Sequence, residues 1–191
     1  MSDLRRQVLD AALEVIIDKG LASLSFREVA RRAGVSHQAP YHHFGDKESI
    51  YAAIAAEGYR MLASALRTAL AGGTPIEAFR RSGRAYVNFA LTHPAHYRVM
   101  FRPDLVRAER FPDLQQAGAE AWSELEETVA RLRQSGRAEL HDPSDLTTLL
   151  WSSVHGAAML VLDGPLPARG SHRSGAQVAE GVVDTLVDLL R

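Results

Sequence analysis

Apolar positions recur along this chain at helical spacing, and punctuation by capping residues, glycine and proline divides them into about nine helices. Leu4, Val8, Ala12 and Ile16 mark the first, closed by Lys19-Gly20. Phe26, Val29 and Ala30 form a shorter stripe behind Ser25, which stands in capping-box register with Glu28, while Leu24 and Val29 fit a hydrophobic staple. Gly34 then supplies the backbone freedom of a turn, Val35 an apolar anchor, and Ser36 a cap for a second short helix over about 37–44. Asp46 can cap a long helix carrying Ile50, Tyr51, Ile54, Gly58, Met61, Leu62, Ala65 and Leu66, which ends at Gly72-Gly73. Thr74 and Glu77 make a second capping box, with Pro75 at the first helical position, and that helix runs to about Thr92. His93-Pro94 begins a short helix, and 102–112 reads as a loop with a turn of helix. Leu114, Trp122, Leu125, Val129 and Leu132 mark a helix over about 113–134, and Asp142-Pro143 starts the next. A proline- and glycine-rich loop covers 164–175, and a helix over about 177–190 closes the chain.

The helix over 37–44 has the wrong composition for a packing helix. Phe44 offers an anchor for docking, but His37, Gln38, Tyr41, His42 and His43 are too many polar tips for one buried face of two turns. A plain surface helix would favour Glu, Lys and Ala. Histidine, glutamine and tyrosine instead provide directional donors and acceptors suited to base edges and phosphate oxygens. Pro40 lies near the first turn, where a missing N–H costs little. Helix, glycine turn and polar second helix together form a helix-turn-helix.

With those residues in place, the chain resembles the TetR-type transcriptional regulators from Arg5 to about Leu62. The resemblance rests on Ser25-x-Arg27-x-Val29-Ala30, Ala33-Gly34-Val35-Ser36 and Tyr41-x-His43-Phe44-x-x-Lys47. Weaker echoes are His93-Pro94 followed by Met100-Phe101, and Trp151-x-x-x-His155-Gly156. Ala39-Pro40 depart from the family's usual small residue and leucine before the tyrosine. The resemblance implies an all-α fold: an N-terminal helix-turn-helix DNA-binding domain followed by a larger helical ligand-binding and dimerisation domain. The expected division is 1–46, a connecting helix over 47–70, and 71–191. It also implies a non-enzymatic, ligand-responsive repressor that binds a palindromic double-stranded DNA operator as a homodimer. Ser25 and Lys47 are then expected at phosphates, and Arg27 at a guanine edge or phosphate. Gln38 and Ala39 are expected to face bases, and Tyr41 and His42 to meet backbone or base edges, with Ser36 and His37 beside them.

Composition changes the picture in two ways. Cysteine is absent, which excludes disulfides and thiolate chemistry, and no metal or cofactor motif is present; His93 and His96 lack a partner carboxylate motif. No run approaches the roughly 20 apolar residues of a membrane span, and no signal-peptide pattern opens the chain, so a cytoplasmic protein is expected. Charge is the less expected feature. Residues 1–50 hold seven Lys/Arg and seven Asp/Glu, without the basic excess of many DNA binders. Asp10, Glu14 and Asp18 stand at i, i+4 and i+8, one helix face that can point away from a duplex.

The last two helices are apolar around more than one face, through Val154, Ala157, Ala158, Val161 and Leu162, and through Val178, Val182, Val183, Leu186, Val187 and Leu190. Such width predicts a second burial partner, a two-fold four-helix interface, the alternative being that the extra face packs inside the same subunit. Phe89, Tyr97, Met100, Phe101, Trp122, Trp151, His155 and Met159 are candidate walls of a small-molecule site, with His155 as its polar tip. The competing reading is a helical ligand-binding or adaptor protein whose head meets a protein partner.

Overall fold

The computed structural model describes residues 3–136, 142–164 and 173–189, which form nine α-helices and no strand. They are α1 (Asp3–Lys19), α2 (Phe26–Ala33), α3 (Ala39–Phe44), α4 (Lys47–Ala69), α5 (Pro75–Thr92), α6 (Pro94–Met100), α7 (Pro112–Gln134), α8 (Pro143–Leu162) and α9 (Gly175–Leu189). Single 3-10 turns stand at Leu21–Ser23 and Ala108–Arg110. Leu190 and most of the 164–175 loop lie outside the described residues.

Two compact units result: Met1–Tyr59 with His93–Gly118, and Arg60–Thr92 with Ala119–Arg191. The linear division at 46 and 71 assigns 93–118 to the C-terminal part, whereas these residues fold with the N-terminal unit. In the first unit α1 packs on α2, α3 and α6. Val8, Leu9, Val15, Leu24, Val29, Ile50 and Ile54 are its buried centre. The Tyr51 hydroxyl donates to the Leu21 carbonyl at 2.8 Å, and that of Tyr59 to the Met100 carbonyl at 2.9 Å. Gly58 admits α6 to close range: a Cβ there would lie 2.6 Å from Met100 Sδ and 3.1 Å from His96 Cβ.

In the second unit α5, α8 and α9 pack on one another, and Phe79, Val129, Leu132, Leu146, Leu150 and Val187 share one apolar cluster. The Thr74 box closes in both directions: Thr74 N–H donates to Glu77 Oε2 at 2.8 Å, and Glu77 N–H to Thr74 Oγ1 at 3.4 Å. Ser174 and Gln177 form a further box at the start of α9. Helix α8 is long and apolar enough to cross a membrane, with a mean hydropathy of 1.2. The sequence reading of no such run therefore does not hold. Here the helix buries Leu146, Leu150, Val154, Ala157 and Ala158 within the unit, as a core helix does.

Helix α5 comes close to α9 at Gly83, where an added Cβ would lie 2.8 Å from Val183 Cγ1 and 3.0 Å from Cγ2. Valine is stiff at χ1 and cannot swing aside. Gly83→Ala is therefore expected to lower unfolding stability by about 1–3 kcal/mol despite the better helix propensity of alanine. Denaturant titration tests this, and a more stable variant would show that α5 and α9 can separate at little cost.

Candidate nucleic-acid interface and effector cavity

The head begins at Ser25, whose Oγ accepts from Glu28 N–H at 3.2 Å. Only half of the expected box forms. The Glu28 carboxylate turns to Arg31, at 2.7 and 3.0 Å, and to Lys19, at 2.8 Å; these bonds hold its carboxyl down at about 2. Helix α2 ends as the sequence predicts. Gly34 is left-handed at φ 65°, and Val35 N–H returns to the Ala30 carbonyl at 3.1 Å, completing a Schellman motif. Ser36 does not cap the next helix through its side chain. Its carbonyl accepts from Ala39 N–H at 3.0 Å, and Gln38 occupies the cap position without a side-chain bond.

Helix α3 starts at Ala39, two residues later than expected, with Pro40 in its first turn. Ala39, Pro40 and Phe44 are buried, and Arg5 stacks over the Phe44 ring at 4.8 Å. Ala39 is 7 % exposed, so the thymine-methyl contact expected of it has no surface to act through. Ser25, Arg27, Ser36, His37, Gln38, Tyr41, His42 and Lys47 are all exposed, and His43 is half-buried. Tyr41 is 47 % exposed, yet its ring meets Phe26 edge-on at 4.3 Å and lies 5.9 Å from His37. The ring is thus braced from below while its outer part faces solvent.

The acidic face of α1 is not bare. Asp10 pairs with Arg6, while Glu14 and Asp18 lie 3.6 and 2.5 Å from Arg32. Arg6 also reaches Glu57, at 2.5 Å, and Glu57 lies 3.3 Å from His96 Nε2. The hydrogen bond to His96, with Arg6 beside it, holds the Glu57 carboxyl down at about 2. This chain of polar contacts ties α1, α4 and α6. No group of three His, Cys, Asp or Glu suited to a metal occurs among the described residues.

In the second unit α5, α7, α8 and α9 enclose a narrow apolar cavity of about 30 Å³. Phe79, Leu125, Val129, Leu150, Val154, Val183 and Leu186 line it, with polar groups from Ser82, Tyr86, Thr128, Thr147 and Trp151. Ser82 and Thr128 hydroxyls are 3.3 Å apart. Trp151 Nε1–H donates to the Tyr86 hydroxyl at 3.1 Å, and that hydroxyl lies 2.9 Å from His155 Nδ1. Indole is a donor only, so Trp151 takes one acceptor site of the Tyr86 oxygen, and the direction of the Tyr86–His155 bond follows the His155 tautomer.

Of the eight candidate wall residues, only Trp151 lines this cavity. His155 stands behind it through Tyr86, and Trp122 meets Trp151 edge-on at 5.7 Å. Phe89 is buried on α5, and Met159 is half-buried on α8. Tyr97, Met100 and Phe101 belong to the first unit, where Phe101 packs on Tyr97 at 5.0 Å and on Tyr59 at 5.7 Å. Sequence reasoning missed Ser82 with Tyr86, four apart on α5, and Thr147 with Trp151, four apart on α8. Small hydroxyls at that spacing beside an aromatic were the available signal.

Burial lowers the His155 pKa, so the folded state prefers the neutral ring. The folded value lies below the unfolded 6.5. The stability it contributes is therefore present above about pH 6.5 and is lost as pH falls through the folded value. Thermal unfolding from pH 7.5 to 5 should show a destabilisation that His155→Gln reduces; an equal pH slope in both proteins would assign it to other groups.

An exposed polar helix on a glycine turn makes a helix-turn-helix head, and a separate helical unit surrounds an apolar cavity. Residues 8–54 match the family model for bacterial regulatory proteins of the tetR family, and residues 79–186 match the tetracyclin repressor-like C-terminal domain. The chain belongs to the TetR family: it is a transcription regulator with a helix-turn-helix DNA-binding domain, not an enzyme. It is 35 % identical over 103 residues to the HTH-type transcriptional activator FasR of Mycolicibacterium smegmatis, an alignment covering 53 % of this chain and 47 % of FasR. The chain thus spans about half the length of that relative. Among solved structures, a Rhodococcus protein of unknown function superposes with a TM-score of 0.83 at 28 % identity, covering 100 % of this chain and 96 % of that one. The TetR family regulator PfmR from Thermus thermophilus superposes with a TM-score of 0.74 at 21 % identity, covering 95 % and 97 %, a likeness of fold.

Proposed function

We propose that the protein is a ligand-responsive repressor that binds a palindromic operator as a homodimer in the cytoplasm. The observation that carries the DNA part is the surface of α3: Gln38, Tyr41 and His42 are exposed while Ala39, Pro40 and Phe44 anchor the helix. Ser25 and Lys47 flank that surface as phosphate contacts, and Arg27, Ser36 and His37 complete it. Two recognition helices about one duplex turn apart require a dimer, for which the outer faces of α8 and α9 are the proposed surface. Leu149 and Leu160 on α8 and Leu189 on α9 are large, apolar and exposed.

The proposed effector is a slender apolar molecule with one hydrogen-bonding end. It would enter the cavity beside Tyr86 and Trp151. At about 30 Å³ the cavity holds roughly one water, so binding must part its walls. Helix α4 runs unbroken from the first unit into the second, which makes it the proposed carrier of that change to the head. Coupling of about 1–3 kcal/mol, the usual order, would change operator affinity 5- to 150-fold.

Fluorescence anisotropy on duplex DNA flanking the protein's own gene, against scrambled competitor, tests the reading. Selective, salt-sensitive binding supports it; failure to enrich any palindrome from random sequence would overturn it. The name of FasR as an activator supports a second reading for the sign of regulation. A promoter-fusion reporter with and without the protein decides between the two.

A further inference from the structure

We propose that the segment after α6 is part of the DNA-binding surface, with Arg107 and Arg110 gripping the phosphodiester backbone beside Lys47. This rests on the DNA-binding reading above and adds a contact from outside the helix-turn-helix.

The N-terminus of α4 is where a phosphate is expected, and its own residues oppose one. Asp46, Lys47 and Glu48 together carry a charge of −1. Both carboxyls are held below the usual carboxylate range, Glu48 chiefly by Arg107 and Asp46 chiefly by Ser49, so both are ionised at neutral pH. The segment from 102 to 110, with three arginines and two acids, offsets that charge. Arg107 donates to Glu48 three times: from its backbone N–H at 2.9 Å, from Nε at 3.2 Å and from Nη2 at 3.2 Å. Arg110 Nη1 also bonds Glu48, and its Nη2 reaches Asp46 Oδ2 at 3.5 Å. With Arg107, Arg110 and the intervening Glu109 the patch becomes neutral overall, and its two guanidinium groups bind the carboxylates on either side of Lys47 in sequence.

The segment is fixed rather than merely near. Val106 is buried in the first unit, Leu105 N–H bonds the Arg102 carbonyl at 2.9 Å, and Arg110 N–H bonds the Arg107 carbonyl at 3.0 Å. The Arg110 guanidinium also lies over the Phe111 ring at 5.4 Å. A guanidinium carries five N–H groups in a planar fork, so one edge can hold a carboxylate while another takes a phosphate. Arg107 keeps 65 % of its side chain exposed while bound to Glu48 through Nε and Nη2. Glu48 acts here as a positioning brace that aims both arginines alongside Lys47. The surface supplies the cationic contacts that the charge-balanced residues 1–50 lack.

The probe is a labelled duplex selected from random sequence by the wild-type protein, titrated between 50 and 300 mM salt. Each lost phosphate contact should flatten the slope of log affinity against log salt by about 0.9. The double variant R107A/R110A should therefore flatten it by about two to four units in a dimer, with at least a tenfold loss of affinity at low salt, and R107K/R110K should restore most of the slope. E48Q separates this from a structural clamp. It removes a negative charge yet keeps an amide oxygen to accept from the Arg107 N–H, so the segment stays placed and binding should tighten. An unchanged slope in R107A/R110A, or a loss of affinity in E48Q equal to that of the double variant, would overturn the proposal. A wild-type protein that enriches no duplex would instead overturn the DNA reading itself.

Discussion

Tyr41→Ala is expected to abolish selective DNA binding while leaving the fold intact. The ring is held edge-on by Phe26 at 4.3 Å and remains half exposed, so truncation removes a rigid, pre-placed contact. A good contact is worth about 1–3 kcal/mol of discrimination. In a two-fold complex the loss counts twice, which predicts a fall in affinity of about 30-fold to 10⁴-fold at constant salt. The circular dichroism spectrum should stay helical, because the core of the head lies in Val8, Val15, Val29 and Ile50. Tyr41→Phe divides the effect. If the hydroxyl meets a phosphate or base, the phenylalanine loses most of the binding; if the ring acts by shape, it keeps most. Wild-type affinity in Tyr41→Ala would mean that α3 is not the reading helix, and the proposed mechanism would fail at its first step.

Legibility in the sequence followed the range of the forces. The features read correctly were local: the Ser25 cap, the Gly34 turn, the Thr74 box, the starts of α4 and α8 and the span of α7, each set by residues within a turn of one another. The Glu28 half of its box failed because Lys19 and Arg31 compete for that carboxylate, and the Lys19 contact spans nine residues. Ala39 shows the same limit. Its chemistry suits a thymine methyl, but Pro40 shifts the helix start and the methyl turns inward. Nor does linear punctuation tell which helices share a core. The grouping of 93–118 with the head rests on contacts far apart in sequence: α6 packs on α1, Tyr59 and Glu57 bond Met100 and His96, and Gly58 lets α6 come close to α4. Those contacts place Tyr97, Met100 and Phe101 in the first unit and not among the residues lining the cavity. The acids of α1 share one helix face as the spacing gives, but their partner Arg32 lies on α2 and is brought to them only by the fold. Arg107 and Arg110 went unnoticed for the same reason: they lie about 60 residues from the carboxylates they bind.

A charge placed on the outer face of α8 should separate the proposed dimer and with it the regulator's function. The faces divide more sharply than the sequence suggested. Val154, Ala157, Ala158, Val183 and Val187 turn inward and are buried within the unit, so they do not serve a second partner. Leu149, Ser152 and Leu160 on α8 and Thr185 and Leu189 on α9 are exposed, with half-buried Ser153, Gly156, Val178 and Val182 between them at helical spacing, while Arg173 covers Gly181. Leu160 is 47 % exposed and Leu189 77 %, and a Cβ at Gly156 would meet nothing within 4 Å. A helix from a second copy can therefore approach closely at Gly156 and bury the flanking leucines. Leu160→Arg puts an unpaired charge into that contact without disturbing the unit's own core. The variant should elute as a folded monomer, with an unfolding midpoint near that of dilute wild-type protein. Its operator affinity should fall by about 10² or more, because the second half-site is then bound without the roughly millimolar effective concentration that a dimer provides. A variant that stays dimeric would move the interface off this face of α8. A monomer that still bound the palindrome at wild-type affinity would show that DNA, rather than α8 and α9, assembles the pair.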